Sequence, residues 1–256
     1  MSTHPVITNR VGDALKYAAE VHQKQYRKGA TSTSHTKIPY ISHPMSVAAM
    51  VIEYGGDEDQ AIAGLLHDAI EDGQTGFEKQ EILDRFGEEV LRLVLGCTDG
   101  SQEEKQRPQS KEEKKALWQQ RKTTYIEHLQ VADDRILLVS GCDKLHNARS
   151  CLRDIQTIGL ELYSRFLGGE AGTLWYYSTL ADVFEQRNTP VCIELRQTVH
   201  QLIKETKRLH LQNTNQSYVD FDEKGMQVDL NRYLRTEEGQ KALHQIAQSA
   251  FPKKKS

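Results

Sequence analysis

Apolar residues recur at intervals of three and four along most of the chain, a spacing typical of amphipathic helices. Val11, Ala14, Ala18 and His22 follow it and predict a first helix over about residues 9–27. The same pattern predicts further helices at about residues 44–54, 59–72, 78–86, 88–97, 116–129, 134–157, 171–187 and 190–210. The expected fold class is therefore all-α, a helical bundle.

Two stretches depart from this pattern. Residues 99–115 are charged and predict an exposed loop or a frayed helix start. After residue 211 the chain turns polar, and an alternating run at 218–230 around a glycine predicts a small hairpin, followed by a short helix at 234–251. The predicted organisation is one domain over residues 1–210 and a small C-terminal extension over 211–256.

Composition excludes several classes of protein. A net charge of −3 over 256 residues gives no electrostatic attraction to nucleic acid or to an anionic membrane. No apolar run approaches the roughly 20 residues of a membrane span, and the N-terminus lacks the order of a signal peptide. The four cysteines, which show no CxxC spacing, are expected to be buried free thiols in a reducing cytoplasm: Cys97, Cys142, Cys151 and Cys192.

The segment from Leu65 to Asp72 concentrates groups able to do chemistry. On one continuous helix, His67, Asp68, Glu71 and Asp72 would share the side opposite the apolar stripe. Gly64 lies on that side one turn earlier and leaves room for a ligand or another helix. Three carboxylates within two turns repel one another unless a cation lies among them.

A solvated helix face is the alternative explanation of these acids. Such a face normally interleaves basic residues, whereas no lysine or arginine lies between Asp57 and Lys79. The sequence therefore favours a functional cluster, provided that other segments supply matching groups.

Two other segments do so. His43 precedes Pro44 at the predicted start of a helix, and Asp143, Asn147 and Ser150 share one face of a later helix. Two histidines and two aspartates form a nitrogen and oxygen ligand set without sulfur, which suits Mn²⁺, Fe²⁺, Co²⁺ or Zn²⁺ with positions left for water and substrate. His146 points away from Asp143 on a helix and is not assigned as a ligand.

The order of these residues resembles the H…HD…D signature of HD-domain phosphohydrolases. The segments around them are similar to the hydrolase domain of RelA/SpoT-type alarmone enzymes and their small stand-alone relatives, over about residues 10–205. The segments that carry the resemblance are Arg27-Lys28-Gly29, Pro39-Tyr40-Ile41-Ser42-His43-Pro44, Leu65 to Asp72, and Asp143-Lys144-Leu145-His146-Asn147.

The resemblance implies a role for each matching residue. One divalent ion, Mn²⁺ in this branch, would be held by His43, His67, Asp68 and Asp143. Glu71 and Asp72 would position or deprotonate the attacking water. Arg27 would stack on the base of the nucleotide. Lys28 and Asn147 would face its phosphates and ribose, and Ser150 would lie near the nucleotide. The implied reaction releases pyrophosphate from the 3′ position of (p)ppGpp.

One departure leaves the substrate open. The segment between Gly29 and Pro39 is longer than the brief turn of the alarmone branch, and it adjoins the expected base pocket. An HD hydrolase for another nucleotide or small phosphate ester, and a non-catalytic nucleotide-binding regulator, are the alternatives. The sequence also leaves open whether the chain forms a homo-oligomer and what residues 211–256 do.

Overall fold

The described part of the fold is built mainly from α-helices. The structure, a computed structural model, describes residues 6–28, 37–72, 78–99 and 110–213. Within them the secondary structure consists of helices and one isolated bridge between Tyr26 and Pro39. The predicted all-α class is thus confirmed.

The chain divides into two compact units, residues 1–207 and 208–256. The sequence predicted a boundary after residue 210, and the assignment of the two parts as separate domains stays a prediction. The hairpin expected at 218–230 and the short helix expected at 234–251 lie outside the described residues.

The helices of the N-terminal half agree with the predicted pattern except at the end of the first and within the third. They are α1 (Asn9–Val21), α2 (Ser42–Glu53), α3 (Glu58–Leu66), α4 (Ala69–Asp72), α5 (Glu78–Phe86) and α6 (Glu88–Cys97). The prediction that the first helix reaches residue 27 is wrong. The chain turns extended there because Arg27 N–H donates to Ile38 O and Tyr40 N–H donates to Gln25 O, both at 2.9 Å.

The C-terminal half contains longer helices. They are α7 (Lys111–Val131), α8 (Asp134–Ile158), a 3₁₀ helix (Gly159–Arg165), α9 (Gly169–Gln186) and α10 (Cys192–Asn213). Residues 99–115 were predicted as an exposed loop or a frayed helix start, and from residue 111 onward the chain is helix, so only the second alternative holds there. Ser110 and Glu113 form a capping box that satisfies the first N–H groups of α7 and starts it earlier than the apolar periodicity suggests.

Helix α3 lies at the centre of the packing, against α1, α2, α6 and α8. Every one of its residues from Gln60 onward is buried. A Cβ at Gly64 would lie 3.1 Å from the Cα of Ala48 in α2, so the glycine permits close backbone contact between these two helices. The room expected at Gly64 is therefore filled by a helix, which places the start of α2 beside the end of α3.

Two smaller expectations can be compared with the structure. All four cysteines are free, and Cys97, Cys142 and Cys151 are buried, but Cys192 is only partly buried, so the expectation of a buried thiol is wrong there. Among the helices of the described residues, none is long and apolar enough to cross a membrane.

Candidate active site

Three segments of the fold meet at one point and carry the four residues suggested as metal ligands. His43 lies in the first turn of α2, His67 and Asp68 connect α3 to α4, and Asp143 lies within α8. His43 and His67 are each 1% exposed and Asp143 is 4% exposed, whereas the side chain of Asp68 is 20% exposed. The cluster is therefore buried and comes closest to solvent at Asp68.

The helix predicted over residues 59–72 is interrupted at this cluster. Helix α3 ends at Leu66 and α4 begins at Ala69, so His67 and Asp68 form a turn. The Nδ1 of His67 lies 2.9 Å from the carbonyl oxygen of Gly64 and bonds to this acceptor at the end of α3. Adjacent residues on an ideal helix point about 100° apart, whereas here both side chains reach the same point.

Two imidazole nitrogens and two carboxylate oxygens converge at the cluster. The Nε2 atoms of His43 and His67 are 3.2 Å apart. Asp68 Oδ2 lies 3.0 Å from Nε2 of His67 and 3.6 Å from Nε2 of His43, and these three ligand atoms lie within 4.8 Å of one another. Asp143 Oδ1 completes the group at 3.1 Å from Nε2 of His43 and 3.5 Å from Nε2 of His67.

Both histidines bind the rest of the protein through Nδ1 and direct Nε2 at the cluster. In His67, Nδ1 donates to the Gly64 carbonyl, which leaves a lone pair on Nε2 in the neutral ring. In His43, Nδ1 lies 2.8 Å from Nδ1 of His146. When the proton of neutral His43 is on Nδ1, its Nε2 also carries a lone pair directed at the cluster. His146 is then the hydrogen-bond acceptor that orients the His43 ring.

The electrostatics of the cluster favour a positive charge at its centre. Burial disfavours the imidazolium form of His67, yet Asp68 and Asp143 together hold its pKa well above the usual value. Burial also opposes ionisation of Asp143, but Lys144 and His67 keep the pKa of this carboxyl well below its ordinary value. The pKa of His43 is lowered, chiefly by burial, which Asp143 counteracts only in part.

This donor set fits a divalent cation. The two carboxylates converge in a buried site, where their like charges are costly unless a positive charge, either a proton on an imidazole or a metal cation bound to the neutral rings, lies between them. The mixture of imidazole and carboxylate donors, with hydrogen-bonded partners behind them, is typical of divalent transition-metal sites. The four residues that the sequence suggested are thus brought together in an arrangement suited to such an ion.

Lys144 supports this cluster from inside the core. Its Nζ lies 2.7 Å from Oδ2 of Asp143 and 4.8 Å from the ring centroid of Tyr125. The buried ammonium thereby balances the charge of Asp143 and leaves Oδ1 to face the histidines.

We expect Lys144→Met to lower the free energy of unfolding by about 3–5 kcal/mol, because removing one partner of a buried ion pair leaves the other charge uncompensated. Urea unfolding at fixed metal concentration measures the change. Lys16→Met, at an exposed position on α1, serves as the control. A loss below about 1 kcal/mol would show that the Lys144–Asp143 pair is not a structural element of the core.

Glu71 and Asp72 lie on α4, directly after the turn that holds Asp68. Both are half-buried. The Asp72 N–H donates to the Asp68 carbonyl at 2.9 Å, and the side-chain amide of Gln25 donates to the Asp72 carbonyl at 3.0 Å. The short helix α4 is therefore tied both to the cluster and to the extended segment after α1. The catalytic role of its two acids stays a prediction.

Three of the four residues predicted to bind the nucleotide contact one another. Arg27 Nη2 donates to Asn147 Oδ1 at 2.9 Å and lies 3.4 Å from Ser150 Oγ. Asn147 in turn donates from Nδ2 to Asp143 Oδ1 at 2.6 Å, so it links Arg27 to a carboxylate of the cluster. Lys28 follows Arg27 and is exposed.

Besides Lys144, sequence reasoning missed two residues that contact the cluster. Tyr40 donates from its hydroxyl to Asp68 Oδ2 at 2.5 Å, and burial together with Asp68 raises its pKa far above the ordinary value, so it stays a donor. His146 contacts His43, and burial and the neighbouring His43 lower its pKa to about 3. Both residues belong to the sequence segments that carry the family resemblance, but only the fold shows which atoms they contact.

The sequence matches the family described as HD domain over residues 14–174. The guanosine-3′,5′-bis(diphosphate) 3′-pyrophosphohydrolase MESH1 of Xenopus tropicalis is 36% identical over 143 residues, which make up 55% of this chain and 69% of the relative. A guanosine-3′,5′-bis(diphosphate) 3′-pyrophosphohydrolase of Aquifex aeolicus is 34% identical over 59% of this chain, but this covers only 19% of the relative's length.

Solved structures agree on the fold. A structure described as a metazoan ortholog of SpoT that hydrolyzes ppGpp aligns with a TM-score of 0.58 at 24% identity, over 78% of this chain and 98% of that one. A crystal structure from Listeria monocytogenes aligns with a TM-score of 0.53 at 28% identity, over 63% of this chain and 99% of that one.

Proposed function

The chain belongs to the HD domain family, and from this premise we propose that it is a metal-dependent phosphohydrolase that removes pyrophosphate from the 3′ position of (p)ppGpp-like nucleotides. The observation that carries the proposal is the convergence of His43, His67, Asp68 and Asp143, with donor atoms 3.0–3.6 Å from their neighbours. The 3′-pyrophosphohydrolase relatives named above support the choice of substrate.

We propose that these four side chains hold one divalent ion, Mn²⁺ in the first instance. When bound, such an ion would lower the pKa of a water on it toward neutrality and would offset charge on the phosphoryl oxygens of the substrate. The contacts of both histidines through Nδ1 and the Lys144 contact to Asp143 orient the donors toward one point.

The chain's own acids then act on the water. Hydrolysis breaks the bond between the ribose 3′ oxygen and the adjacent phosphorus, and it yields a nucleotide with a 3′-hydroxyl and pyrophosphate. A carboxylate of Glu71 or Asp72 accepts the proton of the attacking water, and a proton is returned to the 3′ oxygen. Glu71 and Asp72 lie three and four residues after Asp68 on α4, and the backbone bond from Asp72 N–H to Asp68 O supports a place for them near the cluster.

The nucleotide is proposed to bind along the surface formed by the extended segment after α1 and by α8. Arg27 offers its guanidinium to the base, while Lys28 and Asn147 are directed to the phosphates and ribose, with Ser150 beside them. The contacts among Arg27, Asn147 and Ser150 support one continuous binding surface next to the cluster.

Loss of Arg27 tests this surface. We expect Arg27→Ala to raise KM for ppGpp about 5- to 150-fold, the equivalent of the about 1–3 kcal/mol that a stacked base contributes. The value of kcat should change less, because the stacking exists before the transition state. Steady-state kinetics measures both. Arg196→Ala, which removes an arginine paired with Asp182 and Glu185, is the control, and an unchanged KM in Arg27→Ala would exclude Arg27 from the base site.

A second candidate is an HD hydrolase for another nucleotide. The long segment between Gly29 and Pro39 favours it, because it adjoins the position of Arg27 in the sequence. Most of that segment lies outside the described residues.

A substrate panel separates the two candidates. The Mn²⁺-loaded protein is incubated with ppGpp, pppGpp, ppApp, deoxynucleoside triphosphates and NADPH, and the products are identified by anion-exchange chromatography. The proposal expects the highest kcat/KM for ppGpp or pppGpp. Cleavage of another phosphate ester with no turnover of either guanosine compound would overturn the alarmone substrate and retain the phosphohydrolase.

We place the reaction in the cytoplasm. The free cysteines support this, because buried thiols such as Cys97, Cys142 and Cys151 are typical of proteins in a reducing compartment. The proposed partner is the small nucleotide itself.

A further inference from the structure

Tyr40 contacts both halves of the site through two different parts of its side chain. Its hydroxyl donates to Oδ2 of Asp68 at 2.5 Å. This is the same oxygen that lies 3.0 Å from Nε2 of His67, so it is the oxygen directed at the centre of the cluster. A hydrogen bond to that atom restricts the rotation of the carboxylate.

The ring of Tyr40 contacts Arg27 instead of the cluster carboxylates. The guanidinium carbon of Arg27 lies 5.7 Å from the centroid of the Tyr40 ring, within the range of a cation–π contact. The Tyr40 ring also packs against His22, with centroids 4.9 Å apart, and meets His43 edge-on at 5.7 Å. The contacts with His22 and His43 fix the plane of the Tyr40 ring, against whose face the Arg27 guanidinium packs.

The backbone holds Tyr40 in this position independently of its side chain. Tyr40 N–H donates to Gln25 O, and Arg27 N–H donates to Ile38 O, each at 2.9 Å. The extended segments on either side of the Tyr26–Pro39 bridge therefore carry Tyr40 and Arg27 together. Replacement of the Tyr40 side chain leaves these bonds available.

We propose that Tyr40 is a positioning residue with two separable tasks: its hydroxyl orients Asp68 for the cation, and its ring supports Arg27 at the nucleotide base. The proposal rests on the proposed function, since it takes the cluster as the metal site and Arg27 as the base contact. One side chain thus couples the geometry of the metal site to that of the nucleotide site. Tyr40 does so through Asp68 and Arg27 and contacts neither the cation nor the nucleotide itself.

Two substitutions separate the tasks. Tyr40→Phe keeps the ring and removes the hydroxyl, so the dissociation constant for Mn²⁺ alone, measured by isothermal titration calorimetry, should rise about 10- to 100-fold. The KM for ppGpp at saturating Mn²⁺ should stay within about twofold of the wild type, because the cation–π contact of Arg27 is kept. Saturating Mn²⁺ should also restore most of kcat.

Tyr40→Leu removes both groups. It should weaken Mn²⁺ binding as Tyr40→Phe does, and in addition raise KM for ppGpp about 2- to 5-fold through loss of the cation–π contact. Tyr26→Phe is the matched control, since it removes a hydroxyl from the half-exposed neighbour in the same bridged segment. Circular dichroism and thermal unfolding establish that each variant is folded.

Mn²⁺ affinity in Tyr40→Phe equal to that of the wild type would overturn the task of the hydroxyl. Equal KM values in Tyr40→Phe and Tyr40→Leu would overturn the task of the ring. A wild-type protein that binds Mn²⁺ but does not act on ppGpp contradicts the proposed function instead, and the Mn²⁺ titration then still decides whether the hydroxyl orients Asp68.

Discussion

Replacement of both His67 and Asp68 by alanine is expected to abolish binding of the divalent cation and, with it, hydrolysis. These residues supply two of the four donors, and their Nε2 and Oδ2 atoms lie 3.0 Å apart at the centre of the cluster. Changes to residues that merely support a metal ligand lower metal affinity about 10- to 100-fold. Loss of two ligands should therefore lower the affinity by more than about 100-fold. Metal analysis after dialysis, together with calorimetry, measures the loss.

A control for this double variant removes the same residue types elsewhere. His210→Ala plus Asp13→Ala changes two exposed positions and should leave metal content and turnover near the wild-type values. If the His67 and Asp68 variant kept stoichiometric, tightly bound metal while folded, the ion would have to lie somewhere other than this cluster.

The second large effect is expected from the acids of α4. Glu71→Gln and Asp72→Asn remove a proton acceptor but preserve size and the capacity for hydrogen bonds. Hydrolysis should fall about 10²- to 10⁴-fold in the variant that loses the general base, while Mn²⁺ affinity and fold are kept. Single-turnover kinetics at saturating Mn²⁺ and ppGpp isolates this step from binding.

Glu20→Gln, at an exposed position on α1, is the matched control and should hydrolyse at the wild-type rate. Near-normal turnover in both α4 variants would remove Glu71 and Asp72 from the mechanism. A parallel loss of metal would instead assign them to holding the ion.

The sequence predicted the helices well because most of them bury an apolar stripe. Helices α5, α6 and α8 begin and end within one residue of the predicted bounds. The four residues of the cluster could be named from the sequence because their order resembles the H…HD…D signature, whereas residue types alone also allowed a solvated helix face.

The local breaks could not be predicted in the same way. The turn at His67 is accompanied by a side-chain bond to Gly64 O, and the extended path at Arg27 is paired with Ile38, eleven residues later. The spacing of apolar residues indicates which side chains are buried. It does not indicate hydrogen bonds such as these two, so neither break could be predicted from it.

The roles of Tyr40, His146 and Lys144 were hidden for a related reason. Each contacts a predicted ligand through an atom whose partner is set by packing between helices or between extended segments. A sequence shows that such residues stand near the ligands. It does not show which of the two imidazole nitrogens, or which carboxylate oxygen, they contact.

The most direct test of the central claim is product identification after ppGpp is incubated with the wild-type protein and Mn²⁺. Phosphorus NMR and chromatography should find GDP and pyrophosphate in equal amounts, with no product when a chelator replaces Mn²⁺. Release of orthophosphate in place of pyrophosphate, or ppGpp left intact by a protein that has bound Mn²⁺, would contradict the assignment as a 3′-pyrophosphohydrolase.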